Sequence, residues 1–222
     1  SDLAQGLVAA IEQLDGDDGL TAGVLTGAGR GFCAGMDLKA FAAGGPPVGF
    51  DTFLENGSKK PLIAAIEGFA LAGGLEVALT CDLLVAAEGV KLGIPEVGVG
   101  LLAAGGALMR LPRRVPYSVA MRMALTADPI RAEEALTYGL VTEVTEKGGT
   151  VDAALAIAER IAENAPLSVA GSKAMIQMQQ GLTEEEFWEA QRPHMAAIFK
   201  SEDSLEGAIA FAEKRKPQWK GR

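Results

Sequence analysis

The sequence is poor in histidine, cysteine and positive charge, and each shortage excludes a kind of protein. Its single histidine, His194, stands in a polar C-terminal segment with no nucleophile nearby in sequence, so serine–histidine hydrolysis is unsupported. The two cysteines, Cys33 and Cys81, belong to no CxxC or Cys/His cluster. This predicts two buried free thiols rather than a disulfide or a metal site, and a reducing, cytoplasmic location. The net charge of −9 argues against nucleic acid or an anionic membrane as a partner.

Long apolar runs are missing as well. Glycines and charged residues interrupt the apolar stretches well short of the ~20 residues that a membrane-spanning helix needs. No signal peptide is visible, and the GxSxG, Walker A and HExxH motifs are absent. With 49% hydrophobic and 22% charged residues, the composition is typical of a soluble globular protein. A chain of 222 residues is long enough for one sizeable domain.

The apolar pattern divides the chain into two parts. Continuous apolar stretches predict buried strands at 22–26, 62–66 and 83–86. Between these strands the apolar residues recur at helical spacing. Helices are predicted at 2–14, 37–43, 72–79, 117–126, 131–138, 151–164, 168–180 and, as a polar set, 183–216, with a loop at 44–47. Strand and helix alternate in the first half and helices fill the second. This order favours a layered α/β core followed by a helical region.

Glycine is abundant, with 28 residues concentrated in the first half of the chain. The stretch Gly27–Phe32 superficially resembles a dinucleotide-binding loop, but its third glycine is misplaced and the expected acidic residue is missing. Two further stretches, Gly31–Asp37 and Ala70–Glu76, place small residues where a strand gives way to a helix. Free N–H groups and the helix dipole favour negative charge there. Each turn alone is explained as a tight connection, whereas two turns that converge would form an oxyanion hole.

Two glutamates are candidates for acid/base chemistry. Glu76 falls in the first turn of a predicted helix, where an acidic residue often only complements the helix dipole. Glu96 follows Pro95 in an apolar, glycine-rich stretch, and a buried carboxylate is costly unless it is paired or functional. A solvated surface turn is the alternative for Glu96.

These segments together resemble the crotonase superfamily, the enoyl-CoA hydratase and isomerase fold. The resemblance extends over nearly the whole chain and is carried in order by Leu25–Leu38, Pro61–Leu79, Cys81-Asp82, Gly93–Val97 and Phe211–Lys216. It implies an α/β core of repeated ββα units wound into a spiral in residues 1–165. It also implies a C-terminal helical region, residues 166–222, that mediates trimer formation, with two trimers paired in many members. The family's N-terminal strand pair has no counterpart in this sequence.

The resemblance also implies a site. Two backbone N–H groups hold a thioester oxygen in this family, and the matching positions are Met36 and Gly73. The two acid/base carboxylates fall on Glu76 and Glu96. Ala104 stands where many hydratases have a glycine, and its N–H is expected to contact the water. The implied reaction is hydration of a trans-2-enoyl-CoA to a 3-hydroxyacyl-CoA, without metal or redox cofactor, since coenzyme A is part of the substrate.

The resemblance leaves alternative functions open and suggests candidate contacts to CoA. Isomerisation of a 3-enoyl-CoA, another CoA-thioester reaction, or acyl-CoA binding without turnover are the alternatives. Asp37 is expected to cap a helix. Candidate contacts to CoA are Ala34, Asp37, Leu38, Lys39 and Lys214, with Lys59, Lys60 and the remaining cations of 214–216 as further candidates. The expected assembly is a homotrimer or a dimer of trimers.

Overall fold

The computed structural model describes residues 2–44 and 51–222. Its strands are β1 Gly23–Thr26, β2 Leu62–Ile66, β3 Phe69–Leu71, β4 Leu83–Ala87, β5 Lys91–Gly93, β6 Ile130–Arg131 and β7 Glu143–Thr145. Its helices are α1 Asp2–Gly16, α2 Leu38–Gly44, α3 Asp51–Asn56, α4 Gly73–Thr80, α5 Ala107–Arg110, α6 Tyr117–Thr126, α7 Ala132–Thr137, α8 Thr150–Ala162, α9 Pro166–Met178, α10 Glu184–Phe199 and α11 Glu202–Glu213. Short 3₁₀ helices cover Pro95–Val99 and Leu111–Arg113.

The strands form two sheets, and the chain passes from one sheet to the other and back. The first sheet has the order β1-β2-β4-β7 and is parallel throughout. In the second sheet β3 pairs with β5 in parallel and β5 with β6 in antiparallel, while a bridge from Cys33 to Ala70 extends it. The pairs β2–β3 and β4–β5 therefore place one strand in each sheet, and α4 completes the first of these units. This is the repeated strand–strand–helix arrangement that the resemblance implies.

The inner strand β2 is the most deeply buried strand of the first sheet. All five of its residues are buried, as expected for a parallel strand that is covered on both faces. Ile63 and Ala65 face a small cluster with Val85 and Ala154 of α8, while the alternate side chains face the main core. The segments that leave β2 and β4 toward the candidate site therefore start from a fixed base.

The structure confirms the longer predicted elements and adds short ones. Strand β2 and helix α6 have the predicted bounds, and the other predicted elements shift by only a few residues. The expectation that the second half is entirely helical is wrong, because β7 belongs to the first sheet and β6 to the second. Strand β7 is an exposed to half-buried edge strand, so no apolar run marks it. Of the predicted loop at 44–47, Gly44 ends α2 and the rest lies outside the described residues.

The cysteines differ from each other. Both are free, as predicted, but only Cys81 is buried, and burial raises the pKa of its thiol to about 12. Cys33 is half-buried in the loop that bridges to β3, so the prediction of a buried thiol is wrong there. The bridge to Ala70 holds Cys33 beside the second sheet.

The last three helices are attached to the core at a few points. The ammonium of Lys173 in α9 lies 2.6 Å from Asp82, at the start of β4. The indole N–H of Trp219 donates to the Glu163 carbonyl at 2.8 Å, which holds the C-terminal tail against the end of α8. Within the described ranges, no helix is both long and apolar enough to cross a bilayer. The predicted boundary between 165 and 166 stays a prediction.

Candidate active site

The start of α4 is built on a strained residue. Ala72 links β3 to α4 with φ 52° and ψ −132°, a backbone region that costs an L residue about 1–3 kcal/mol. The Ala72 N–H donates to the Gly93 carbonyl at 2.9 Å, and its carbonyl accepts from Leu75 and Glu76. The turn thereby starts the helix abruptly, and the Gly73 N–H becomes one of the unpaired donors of its first turn.

A second glycine loop packs directly against this helix start. Gly35 has φ +88°, and a Cβ built on it would lie 2.8 Å from the Gly73 amide nitrogen. A Cβ on Gly73 would in turn lie 3.9 Å from the Met36 amide nitrogen. Among the residues that the structure describes, neither the Met36 nor the Gly73 N–H has an acceptor. The structure therefore brings the two predicted N–H donors side by side.

Glu76 points inward from the first turn of α4. The residue is 6% exposed, and its Oε1 accepts from the Ala107 N–H at 3.2 Å. A Cβ on Gly105 would lie 2.6 Å from Oε2, and one on Gly73 would lie 4.0 Å from the same oxygen. Burial raises the pKa of Glu76, while the Ala107 and Gly105 N–H groups and the charge of Arg110 oppose this rise. Glu76 is therefore a buried carboxylate beside the two free donors and not a solvated helix cap.

Glu96 reaches the same region from the 3₁₀ helix that follows β5. It is 9% exposed, which excludes the surface-turn alternative. Within the described part of the chain, its Oε2 is buried without a hydrogen-bond partner. Burial raises the pKa of Glu96, its own backbone N–H lowers it, and the charge of Glu76 raises it further. The two carboxylates thus act on each other electrostatically.

The residues after Glu96 differ from the prediction for Ala104. The Ala104 N–H donates to the Leu102 carbonyl at 2.9 Å, so it is not a free donor for water. Gly105 and Ala107 instead provide the N–H groups that act on the Glu76 carboxylate. Sequence reasoning missed both, although the Gly105-Gly106 pair was a signal for a close backbone approach.

The remaining predicted contacts lie at the edge of this region or away from it. Residues 34 and 37–39 are exposed next to Met36, and the Asp37 carboxylate accepts from the Lys39 N–H at 2.8 Å, which confirms the cap of α2. Lys60 donates through Nζ to the Asp17 carbonyl at 2.6 Å, and exposed Lys214 ends α11. No group of three His, Cys, Asp or Glu side chains in the described ranges is placed to hold a metal ion.

Comparison with known proteins gives consistent matches over nearly the whole chain. A model of the family described as enoyl-CoA hydratase/isomerase matches residues 1–222. The chain is 50% identical to an enoyl-CoA hydratase of known structure from Mycobacterium marinum, with a TM-score of 0.94 over 99% of this chain and 88% of that one. It is 38% identical to carnitinyl-CoA dehydratase from Proteus mirabilis, over 93% of this chain and 84% of the relative. It is 40% identical to (E)-benzylidenesuccinyl-CoA hydratase from Thauera aromatica, over 92% and 83%.

Proposed function

The chain belongs to the enoyl-CoA hydratase/isomerase family, and on this premise we propose that it hydrates a trans-2-enoyl-CoA to a 3-hydroxyacyl-CoA. Its fold is the crotonase fold, and it is a hydro-lyase that acts on CoA thioesters. Hydration of a 2-enoyl-CoA is supported by the arrangement of four groups. Two buried carboxylates, Glu76 and Glu96, influence each other, and Glu76 lies beside the two unpaired N–H groups of Met36 and Gly73.

The N–H pair supports the part of the reaction in which charge develops. Addition of water to a double bond conjugated with a thioester builds negative charge on the thioester oxygen. Two preorganised N–H donors stabilise this enolate, and loss of one such donor typically lowers the rate about 10²–10³-fold. Because the Met36 donor belongs to the main chain, the Met36 side chain is free to vary.

The carboxylate pair supports the proton transfers. The attacking water must lose a proton as it adds to C3, and C2 must gain one. We assign the water to Glu76, whose carboxylate accepts from the Ala107 N–H, and the C2 proton to Glu96, whose Oε2 has no partner among the described residues. Each such acid/base contribution is on the order of 10²–10⁴ in rate.

The substrate class is supported by the names of the relatives. One is a dehydratase and one a hydratase, and both names specify a CoA compound with a different acyl group. The proposal therefore concerns the thioester and its conjugated double bond. The protein is proposed to need no cofactor, because the two carboxylates and the N–H pair provide the groups that hydration requires.

The assembly proposed for the protein is a homotrimer or a dimer of trimers in the cytoplasm. Support comes from the last helices, where large apolar side chains stay exposed, including Ile176 at 67%, Phe199 at 71% and Phe211 at 88%. A contiguous apolar surface, such as the groove that Ile176 and Phe199 line, typically marks an interaction site. Sedimentation equilibrium tests the assembly, and a monomer at micromolar concentration would contradict it.

The reaction is tested by following the loss of the conjugated-thioester absorbance of a 2-enoyl-CoA. We expect Glu76→Gln and Glu96→Gln each to lower kcat about 10²–10⁴-fold. The control Glu189→Gln alters an exposed carboxylate of α10 and should keep full activity. Full activity in both site variants would overturn the assignment.

Product analysis separates the alternatives. Conversion of a 3-enoyl-CoA to the 2-enoyl isomer without formation of a 3-hydroxyacyl-CoA would indicate an isomerase. Binding of the CoA ester without any product would indicate a protein that only binds acyl-CoA. The hydratase proposal requires the 3-hydroxyacyl product and its loss in both glutamine variants.

A further inference from the structure

Arg110, the last residue of α5, connects two segments next to the candidate site. Its Nη1 donates to the Gly105 carbonyl at 3.3 Å. Its Nη2 donates to the Leu54 carbonyl and lies 3.5 Å from that of Glu55, both near the end of α3. The guanidinium thus joins the turn before α5 to a helix end, where carbonyls lack helical partners and favour a cation.

The turn that Arg110 holds is the one that carries the Glu76 contacts. A Cβ on Gly106, which has φ +107°, would lie 2.3 Å from Nη1, so the guanidinium packs directly against the backbone of this turn. The Gly105 and Ala107 N–H groups on either side of Gly106 act on the Glu76 carboxylate. Displacement of the guanidinium would therefore move both donors.

We propose that Arg110 is a positioning residue for hydration, which fixes the Gly105-Gly106 turn and, through it, the Glu76 carboxylate that activates the water. A planar guanidinium suits this role because its fork of N–H donors reaches two carbonyls at once. The inference rests on the proposed function, since Glu76 acts on water only in that reaction.

The charge of Arg110 has a second effect on Glu76. Burial of Glu76 raises its pKa, and among charged groups Arg110 lowers it while Glu96 faces it with like charge. Arg110 itself faces Glu76 and Arg113. Glu76 must be ionised to accept the proton of water, so activity falls as the pH drops through its pKa. Loss of the Arg110 charge raises that pKa and moves the acidic limb of the rate profile to higher pH.

Two substitutions separate the hydrogen bonds from the charge. Arg110→Gln removes the charge and the fork, whereas Arg110→Lys keeps the charge and loses the fork. We expect each to lower kcat about 10–100-fold with little change in KM, as a small misplacement of a catalytic group does. The acidic limb of the pH–rate profile should move to higher pH in Arg110→Gln and stay near its wild-type pH in Arg110→Lys. Arg113→Gln, which removes an exposed arginine three residues on, is the matched control and should change neither.

Kinetics over pH, thermal unfolding and a ¹³C carboxyl NMR titration of Glu76, assigned with Glu76→Gln, make up the test. Wild-type kcat in either folded Arg110 variant would overturn the proposal. The proposal would also be overturned if kcat fell only in proportion to the folded fraction, while the acidic limb of the pH–rate profile and the Glu76 titration kept their wild-type pH. If Arg110→Gln does not fold, Arg110→Lys decides through its kcat. A wild type without hydratase activity contradicts the proposed function instead, and the NMR titration still shows whether Arg110 controls the Glu76 carboxyl.

Discussion

Helix α4 and helices α9 and α10 represent two ways in which this chain uses a helix. Seven of the eight residues of α4 are buried, whereas no residue of α9 or α10 is. The surroundings of α4 are so close that a Cβ on Gly74 would lie 2.2 Å from the Cys33 carbonyl oxygen. In the turn between α9 and α10 a Cβ on Gly181 would meet nothing within 4 Å.

The difference has a physical meaning. Around α4 the chain's own packing is close, so the N–H groups and carboxylates there are preorganised. The residues of α9 and α10 are only partly covered by the chain itself, and large side chains such as Trp188, at 54% exposure, remain accessible. Substitutions should therefore have their greatest effect near α4 and smaller effects near the C terminus.

The sharpest test compares Gly35→Ala with Gly181→Ala. Both glycines have φ +88°, so the backbone penalty for alanine is the same, on the order of 1 kcal/mol. Only at Gly35 would the added methyl group approach the Gly73 amide nitrogen, at 2.8 Å. We expect Gly35→Ala to lower kcat about 10²–10³-fold, as loss of an oxyanion donor does, and Gly181→Ala to keep full activity. Steady-state kinetics with urea unfolding measures both effects, and equal activity losses would show that crowding at Gly35 is unimportant.

The second comparison uses two ion pairs of the C-terminal region. Lys173 is 8% exposed against Asp82 of the core, whereas Lys220 and Glu202 are both more than half exposed. We expect Lys173→Met to reduce the free energy of unfolding by about 3 kcal/mol, because it leaves a partly buried carboxylate without its cation. Lys220→Met should change it by less than about 1 kcal/mol. Chemical denaturation measures the difference, and similar small effects would mean that α9 is not anchored through Lys173.

The same contrast explains what could be predicted from the sequence. Strand β2 is a continuous apolar run, and local pattern alone sets its bounds. Gly73 and Glu76 were found because a motif in one continuous segment carries them. Gly105 and Ala107 were missed because their contact with Glu76 joins positions about thirty residues apart, as in the 31-residue separation of Ala107 and Glu76.

Two further features lay beyond sequence reasoning for different reasons. The strain at Ala72 is invisible because alanine is the residue type that a helix favours, and only its φ of 52° reveals the forced turn. The hydrogen bonds of Arg110 depend on where the end of α3 lies. Helix α3 itself has only six residues and no clear helical period.

A third prediction compares Glu96 with Glu206 of α11. Burial raises the pKa of Glu96 above its ordinary value of 4.5, so the ionised form is disfavoured in the folded protein. Below pH 4.5 this group favours folding, and the benefit is lost as the pH rises through the folded pKa. Glu96→Gln should therefore stabilise the protein at neutral pH, by on the order of 1 kcal/mol, while abolishing most activity.

Glu206 should respond in the opposite direction. Hydrogen bonds from Arg215 lower the pKa of half-buried Glu206 to about 2, so its contribution to stability is present above pH 4.5 and lost as the pH falls through about 2. Glu206→Gln should slightly destabilise the protein at neutral pH. Thermal unfolding between pH 3 and 8 compares the two variants, and a neutral-pH destabilisation by Glu96→Gln would contradict the interpretation of Glu96.

The smallest expected effects come from two residues with positive φ, one in each region. Ala72 has φ 52° and ψ −132°, and Lys214 has φ 57° in the ordinary left-handed region. Glycine relieves the strain at both positions but adds freedom to the unfolded chain, and the two effects largely cancel. We expect Ala72→Gly to raise the free energy of unfolding by up to about 1 kcal/mol and Lys214→Gly by a few tenths, since the conformation at Ala72 is the more strained. Urea unfolding resolves this order, and a reversed order would place the greater backbone strain in the C-terminal helices instead of at the start of α4.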